Sequence, residues 1–314
     1  MAGNRNKAGT YKTSGIPVRE PGASSFGPTI YVDSTNGNDD HAGDNPSNAV
    51  ATIEQGVVRA GNEGLDATVI VRRGFYQPAS EIALTADHYG ISVLADKVMP
   101  VMAGAGTRIY NIGGPDNIFS INGCYNAEIA GFRMWPEMLN SATGINIGNT
   151  AGSHGTWIHD NAIINVEAQY MACSVYMGST SYELQYTLIE DNLLHCGGAY
   201  NNTTGIITWN HSTRSMVRNN HFDIVSNNAL SCGIYIVHRG APRGRILDNN
   251  FNGTESTVED MVAAAIYTPT QMSGGDFIID GNRSVNIATP YGTHVARDAS
   301  LGLNYLNEST VTSN

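Results

Sequence analysis

Short alternations of apolar and polar residues recur along this chain at a nearly fixed interval. One pattern reads Ile158-His159-Asp160-Asn161, Ile189-Glu190-Asp191-Asn192, Val217-Arg218-Asn219-Asn220, Ile246-Leu247-Asp248-Asn249 and Ile278-Ile279-Asp280-Gly281. Its Asp/Asn positions 160, 191, 219, 248 and 280 are 31, 28, 29 and 32 residues apart. A second pattern keeps the same beat: Ile145-Asn146-Ile147, Val175-Tyr176-Met177, Ile206-Ile207-Thr208, Ile234-Tyr235-Ile236 and Ile266-Tyr267-Thr268. Each is a three- or four-residue strand bounded by Gly, Asn, Asp or Ser. No window carries a sustained helical stripe, except around Ala51–Ala60.

Two columns in phase, at about 30 residues per repeat, predict a stacked repeat architecture. Strands of this length leave room for several per repeat, which is one coil of a parallel β-helix. Coils then lie on one another at roughly 4.8 Å, the strand-pairing distance. The register predicted from the second pattern stacks Ile145, Val175, Ile206, Ile234 and Ile266 in the core. It turns Asn146, Tyr176, Ile207, Tyr235 and Tyr267 outward. Asp and Asn suit the corners, because they tolerate the left-handed region and bond to nearby backbone. Stacked there, they can also bond from coil to coil.

The predicted organisation is all-β: an extended arm (1–28), an N-terminal cap (29–80), a β-helix body (81–298) and a C-terminal tail (299–314). The arm is rich in Gly, Ser, Pro, Lys and Asn and has no core of its own. Its early cations, Arg5, Lys7 and Lys12, suit it to lie on an acidic protein surface, as an assembly anchor. After the arm comes Ile30-Tyr31-Val32-Asp33, a Gly/Asn/Asp loop to Pro46, Ala51-Thr52-Ile53-Glu54-Gln55-Gly56-Val57-Val58, then Val69-Ile70-Val71 and Gly74-Phe75-Tyr76. This opening resembles the N-terminal cap of right-handed β-helix proteins of the pectate-lyase-like superfamily. Such caps recur in bacterial polysaccharide-degrading enzymes and in phage virion proteins. The resemblance implies a right-handed parallel β-helix and, for the virion members, a homotrimer.

Only 14% of residues are charged, yet the net charge is −11. Low charge fits a surface covered by partners, and cations are too sparse for a nucleic-acid footprint. No apolar run approaches a membrane span. Met1–Thr13 lacks the apolar stretch of a secretory signal, so synthesis in a host cytoplasm is expected. Cys124, Cys173, Cys196 and Cys232 lack metal-site spacing. Cys173 and Cys232 share a column with one coil between them, too far for a disulfide.

Candidate chemistry falls at four places. His159, Glu190 and Arg218 precede the Asp/Asn column on three successive coils. They could act on a sugar chain, although a cross-strand charge ladder explains them as well. With Leu247 and Ile279 continuing that column, no second acid follows. Asp33, Asp39, Asp40 and Asp44 offer oxygens for Ca²⁺, which turn-capping explains without metal. Neither a metal nor another cofactor is expected. The column of Asn146, Tyr176, Ile207, Tyr235 and Tyr267, with Trp209 and Val237 beside it, reads as a subunit interface or a sugar-stacking groove. His238–Arg245 is the most basic stretch. Gly104-Ala105-Gly106 reads as a turn rather than a phosphate loop.

Two functions follow. The leading one is a phage virion protein, specifically a trimeric capsid decoration (cement) protein, docked by its arm on the major capsid or other virion proteins. The alternative is an enzyme: a tailspike-type polysaccharide depolymerase, or a secreted polysaccharide lyase or hydrolase.

Overall fold

The computed structural model describes residues 10–13, 16–19, 27–96, 106–112, 117–137, 142–148, 150–165, 171–178, 181–182, 184–197, 206–225, 232–237, 243–254, 264–267, 277–285, 287, 300–301 and 305–306. Three long sheets run the length of the body, with ten, nine and seven described strands. Each complete coil of the body contributes one strand to each sheet. Trp157–His159 lies in the first, Ala162–Asn165 in the second and Met171–Met177 in the third; Leu188–Glu190 then returns to the first. Pairing between coils is parallel throughout these sheets. The architecture is a right-handed parallel β-helix.

Alternation sends one side of every strand inward. In the first sheet Val69, Val93, Ile129, Ile158, Ile189, Val217, Ile246 and Ile279 stack as one buried column. Rings join the core from the second sheet, where Phe222 and Phe251 stack at 4.5 Å. A helix, Ile53–Glu63, closes the N-terminal end, with the Thr52 side chain capping it by accepting from the Gln55 N–H. Gly56 lets it settle on the first strands: a Cβ there would meet Val32 Cγ2 at 2.6 Å. The Thr10–Thr13 and Ile16–Arg19 segments pair antiparallel, so this part of the arm forms a hairpin rather than a wholly extended strand.

The corner between the first and second sheets is two residues long. From Gly131 onward its first residue adopts positive φ in each coil: Gly131, Asp160, Asp191, Asn219, Asp248 and Gly281, between 54° and 83°. Asp, Asn and Gly are the residues that occupy this region at low cost. Its second residue is a buried asparagine from Asn161 onward. The Nδ2 of Asn161 donates to Asn192 Oδ1 at 3.2 Å, Asn192 to Asn220 at 3.0 Å, Asn220 to Asn249 at 3.1 Å and Asn249 to Asn282 at 3.0 Å. Each Oδ1 also accepts the backbone N–H of the preceding coil's corner residue.

Two registers differ from the sequence expectation by one residue. In the fifth repeat Ile246 pairs with Ile279 and Leu247 with Asp280. Gly281 therefore takes the positive-φ position, and Asn282, not Gly281, ends the ladder. Asp280, not Ile279, continues the outward column. In the third sheet Val175 pairs with Ile207, and Ile207 with Ile234. The core column is thus Ile145, Val175, Ile207, Ile234 and Ile266. Ile207 is 0% exposed, so its expected place in the outward column is wrong; Thr208 takes that register position and is itself only 1% exposed. Trp209, expected outside, is buried in the core, where its Nε1–H donates to the Ser212 carbonyl at 2.8 Å.

At the C-terminal end, Ser300–Leu301 and Tyr305–Leu306 add parallel strands to the first and second sheets, so the body runs past the boundary expected at 298. Cys124, Cys173 and Cys232 are free, buried thiols, each pushed up to about 12 by burial. No helix among the described residues is long and apolar enough to cross a membrane.

Candidate functional site

The first sheet's outer face carries the charged residues singled out above. Each short strand there turns its first and third residues outward. The third positions bring His159, Glu190 and Arg218 directly opposite one another on successive coils. The first positions hold Glu128, then Trp157, Leu188 and Met216. A second acid is therefore present. It was missed because only the residue next to the Asp/Asn corner was considered; the same alternation also projects the residue two places earlier.

These side chains form one connected network. Imidazole Nε2 of His159 lies 3.1 Å from Glu128 Oε1, and its Nδ1 lies 2.7 Å from Asp160 Oδ2. Ser92 Oγ donates to Glu128 Oε2 at 2.7 Å. Trp157 stacks on His159 with ring centroids 4.0 Å apart and donates its Nε1–H to Glu190 Oε1 at 2.8 Å. Arg218 Nε donates to the other Glu190 oxygen. Both glutamates are nearly sequestered, at 7% and 5% exposure. Burial alone would lower the His159 pKa, but its bonds to Asp160 and Glu128 and their charges outweigh that and push it up to about 9. The imidazole is accordingly a cation at neutral pH, with both N–H groups donating. Burial, then the charges of Glu190 and Asp160, raises Asp191.

A general base needs a free lone pair aimed at substrate. His159 has none; each glutamate accepts from two protein partners, one on each oxygen. Together these bonds form a cross-strand ladder that ties five coils together. It has a pH signature. The folded-state pKa lies above the ordinary 6.5, so the His159 contribution is complete below pH 6.5 and is lost as pH rises to about 9. Urea unfolding should show a stability loss of about 3 kcal/mol across that window, by linkage. His159→Gln should lack this loss. Parallel pH profiles for the two proteins would show that the ladder does not hold His159 as a cation.

On the third sheet's outer face, Asn146, Tyr176, Thr208, Tyr235 and Tyr267 occupy successive register positions. Tyr176 and Tyr235 are half-buried, and Tyr176 Oη accepts from Asn210 Nδ2 at 3.1 Å. Asn146 Nδ2 donates to Asn117 Oδ1 at 3.4 Å, while its own buried Oδ1 has no partner among the described residues.

The acidic loop caps turns. Asp33 accepts from the N–H groups of Thr35 and Asn36 and from Arg72 Nη1 at 2.9 Å. Burial opposes its charge, but these bonds outweigh it and hold the carboxyl at about 2. Asp39 accepts from Ala51 N, Thr52 N and Thr52 Oγ1. Asp44 accepts from Asn45 Nδ2 and Asn48 Nδ2, while Asp40 N–H donates to Asn38. Among the described residues no group of three or more His, Cys, Asp and Glu is placed to hold a metal ion. Arg5, Lys7, His238–Pro242 and the turn at 104–105 lie outside the described residues, and Lys12 is placed only by its strand.

No family model matches the chain, and no curated protein matches it. Solved structures do. A pectin methylesterase of Aspergillus niger shares 11% identity over 93% of this chain and 88% of its own, with a TM-score of 0.50. Escherichia coli ybhc shares 8% over 95% and 89%, with a TM-score of 0.51. ORF18 of Geobacillus virus E2 shares 10% over 96% and 68%, with a TM-score of 0.49. At such identities the first two establish the fold alone, and the third falls short of that.

Proposed function

We propose that this chain is a structural protein of a bacteriophage virion, a homotrimeric capsid decoration protein on a rigid β-helical rod. The observation that supports it is the network on the first sheet: Glu128, His159, Glu190 and Arg218 spend their chemistry on one another. Such mutual bonding across strands suits a scaffold. The low charge and the tyrosine column fit a surface that packs against other subunits. The arm, with Arg5, Lys7 and Lys12, would dock on the major capsid or other virion proteins.

Deleting residues 1–28 should leave the rod's circular dichroism intact, because the arm's polar sequence has no core of its own. Occupancy on particles should fall steeply. Unchanged occupancy would remove the arm from the proposal.

A tailspike-type polysaccharide depolymerase is the second reading, favoured by the fold shared with a pectin methylesterase. New reducing ends or unsaturated products from a panel of acidic and neutral polysaccharides would establish it in place of the decoration role.

A further inference from the structure

The outer face of the second sheet, near the N-terminal end of the rod, carries a feature that neither reading uses. Phe75, Arg108 and Arg133 lie opposite one another on three successive strands. Beside them, Tyr110 lies opposite Trp135. The rings form a continuous run: Phe75 to Tyr110 at 5.5 Å and 32°, then Tyr110 to Trp135 at 5.1 Å and 31°. Arg133 Cζ sits 4.4 Å over the Trp135 ring. Arg73, Gly74, Phe75, Gly106 and Arg108 line a cleft of ≈ 250 Å³ at the end of the run.

Arg73, Arg108 and Arg133 make no ion pair among the described residues, whereas Arg72 and Arg218 do. The Nε of Arg133 is buried and has no hydrogen-bond partner among the described residues. Burial, then the like charge of Arg108, disfavours the Arg133 cation. Like charges on neighbouring strands repel. In a chain with 17 cations and a net charge of −11, three unpaired guanidiniums on one face call for an external anion.

We propose that this face binds an anionic polysaccharide, with a sugar ring laid on Phe75 and acidic groups held by Arg73, Arg108 and Arg133. Guanidinium forks match carboxylates and sulfates in bidentate geometry. The coil repeat, roughly 4.8 Å, is close to the advance of one sugar in an extended chain, so charge can meet charge along the rod. Phe75 is 54% exposed and offers an open ring. Tyr110 is covered by neighbouring rings and Trp135 by Arg133. A run of nucleotide bases needs several open aromatic faces, so the arrangement favours a sugar chain over single-stranded nucleic acid. This assignment is independent of the virion role. It lies on a different sheet from the charged ladder and from the tyrosine column.

The test is calorimetric titration of the full chain with oligogalacturonate, a neutral mannan oligosaccharide and oligothymidylate, at low and high salt. Saturable binding of oligogalacturonate that weakens with salt is expected, with none of the neutral sugar. Arg73→Glu with Arg108→Glu should weaken it by about tenfold or more, since charge-assisted bonds are replaced by repulsion. Gly106→Leu should weaken it with the charges intact, because Gly106 lines the cleft and a Cβ there meets nothing within 4 Å among the described residues. Both variants should keep the parent melting temperature. Absence of saturable binding, oligogalacturonate binding within roughly twofold of the parent in the folded charge-reversal variant, or tighter binding of oligothymidylate would each overturn the assignment.

Discussion

Asn192→Ala should destabilise the rod by about 3 kcal/mol or more, a large effect for one exchange of a small polar side chain. Asn192 sits mid-ladder and fully inside. Its Oδ1 accepts from the Asn161 backbone N–H and from Asn161 Nδ2. Its Nδ2 serves the Ile158 and Glu190 carbonyls and Asn220 Oδ1 at 2.8–3.1 Å. Alanine removes all of these at once and leaves buried donors and acceptors where water cannot reach. Asn192→Asp keeps the shape but points an oxygen at three carbonyl oxygens, and should cost a similar amount. The neighbouring corner residue provides the control: Asp191→Asn preserves the left-handed preference and should be nearly neutral. Equilibrium urea unfolding at pH 7 measures all three. A cost for Asn192→Ala below about 1 kcal/mol would mean that the ladder bonds are not holding the coils together.

Ile207→Asp should prevent folding outright. Its side chain is enclosed between Val175 and Ile234 of adjacent coils, and an isolated carboxylate there has no partner. Ile207→Val, which trims one methyl group from the same column, should cost only about 1 kcal/mol. Thr208→Val should fold, because Thr208 faces out of the core column and valine keeps its shape. Expression trials followed by circular dichroism distinguish the three. A folded Ile207→Asp protein with native melting behaviour would show that residue 208, not 207, points into the core.

Most of the architecture was legible because a repeat repeats its errors rarely. The 28–32-residue beat, the apolar strand centres and the Asp/Asn corners each named the same coil. The left-handed corner and the bonds between stacked asparagines followed from residue type alone. Where register slipped, the local text was ambiguous. Ile206-Ile207 and Ile278-Ile279 each place two apolar residues side by side, so alternation does not say which one points inward. The choice is made by partner strands and by the length of the preceding turn, and both are tertiary facts. Glu128 escaped notice for a different reason. Its tie to His159 runs diagonally between two outward columns, and only one was followed. The aromatic run was missed because Phe75, Tyr110 and Trp135 are 35 and 25 residues apart, outside the regular beat.

The asparagine ladder also makes the rod an addressable ruler. Every corner from Asn161 to Asn282 presents the same acceptor to the coil before it, and Phe132 N–H uses the first of these just as the asparagines use theirs. A whole coil can therefore be spliced in or out at two equivalent corners with the same bonds re-formed across the join, changing the rod by roughly 4.8 Å. A single-residue insertion inside a strand has no such freedom. Length in this protein is a quantity that gene duplication can adjust in discrete steps, without redesigning the cross-section.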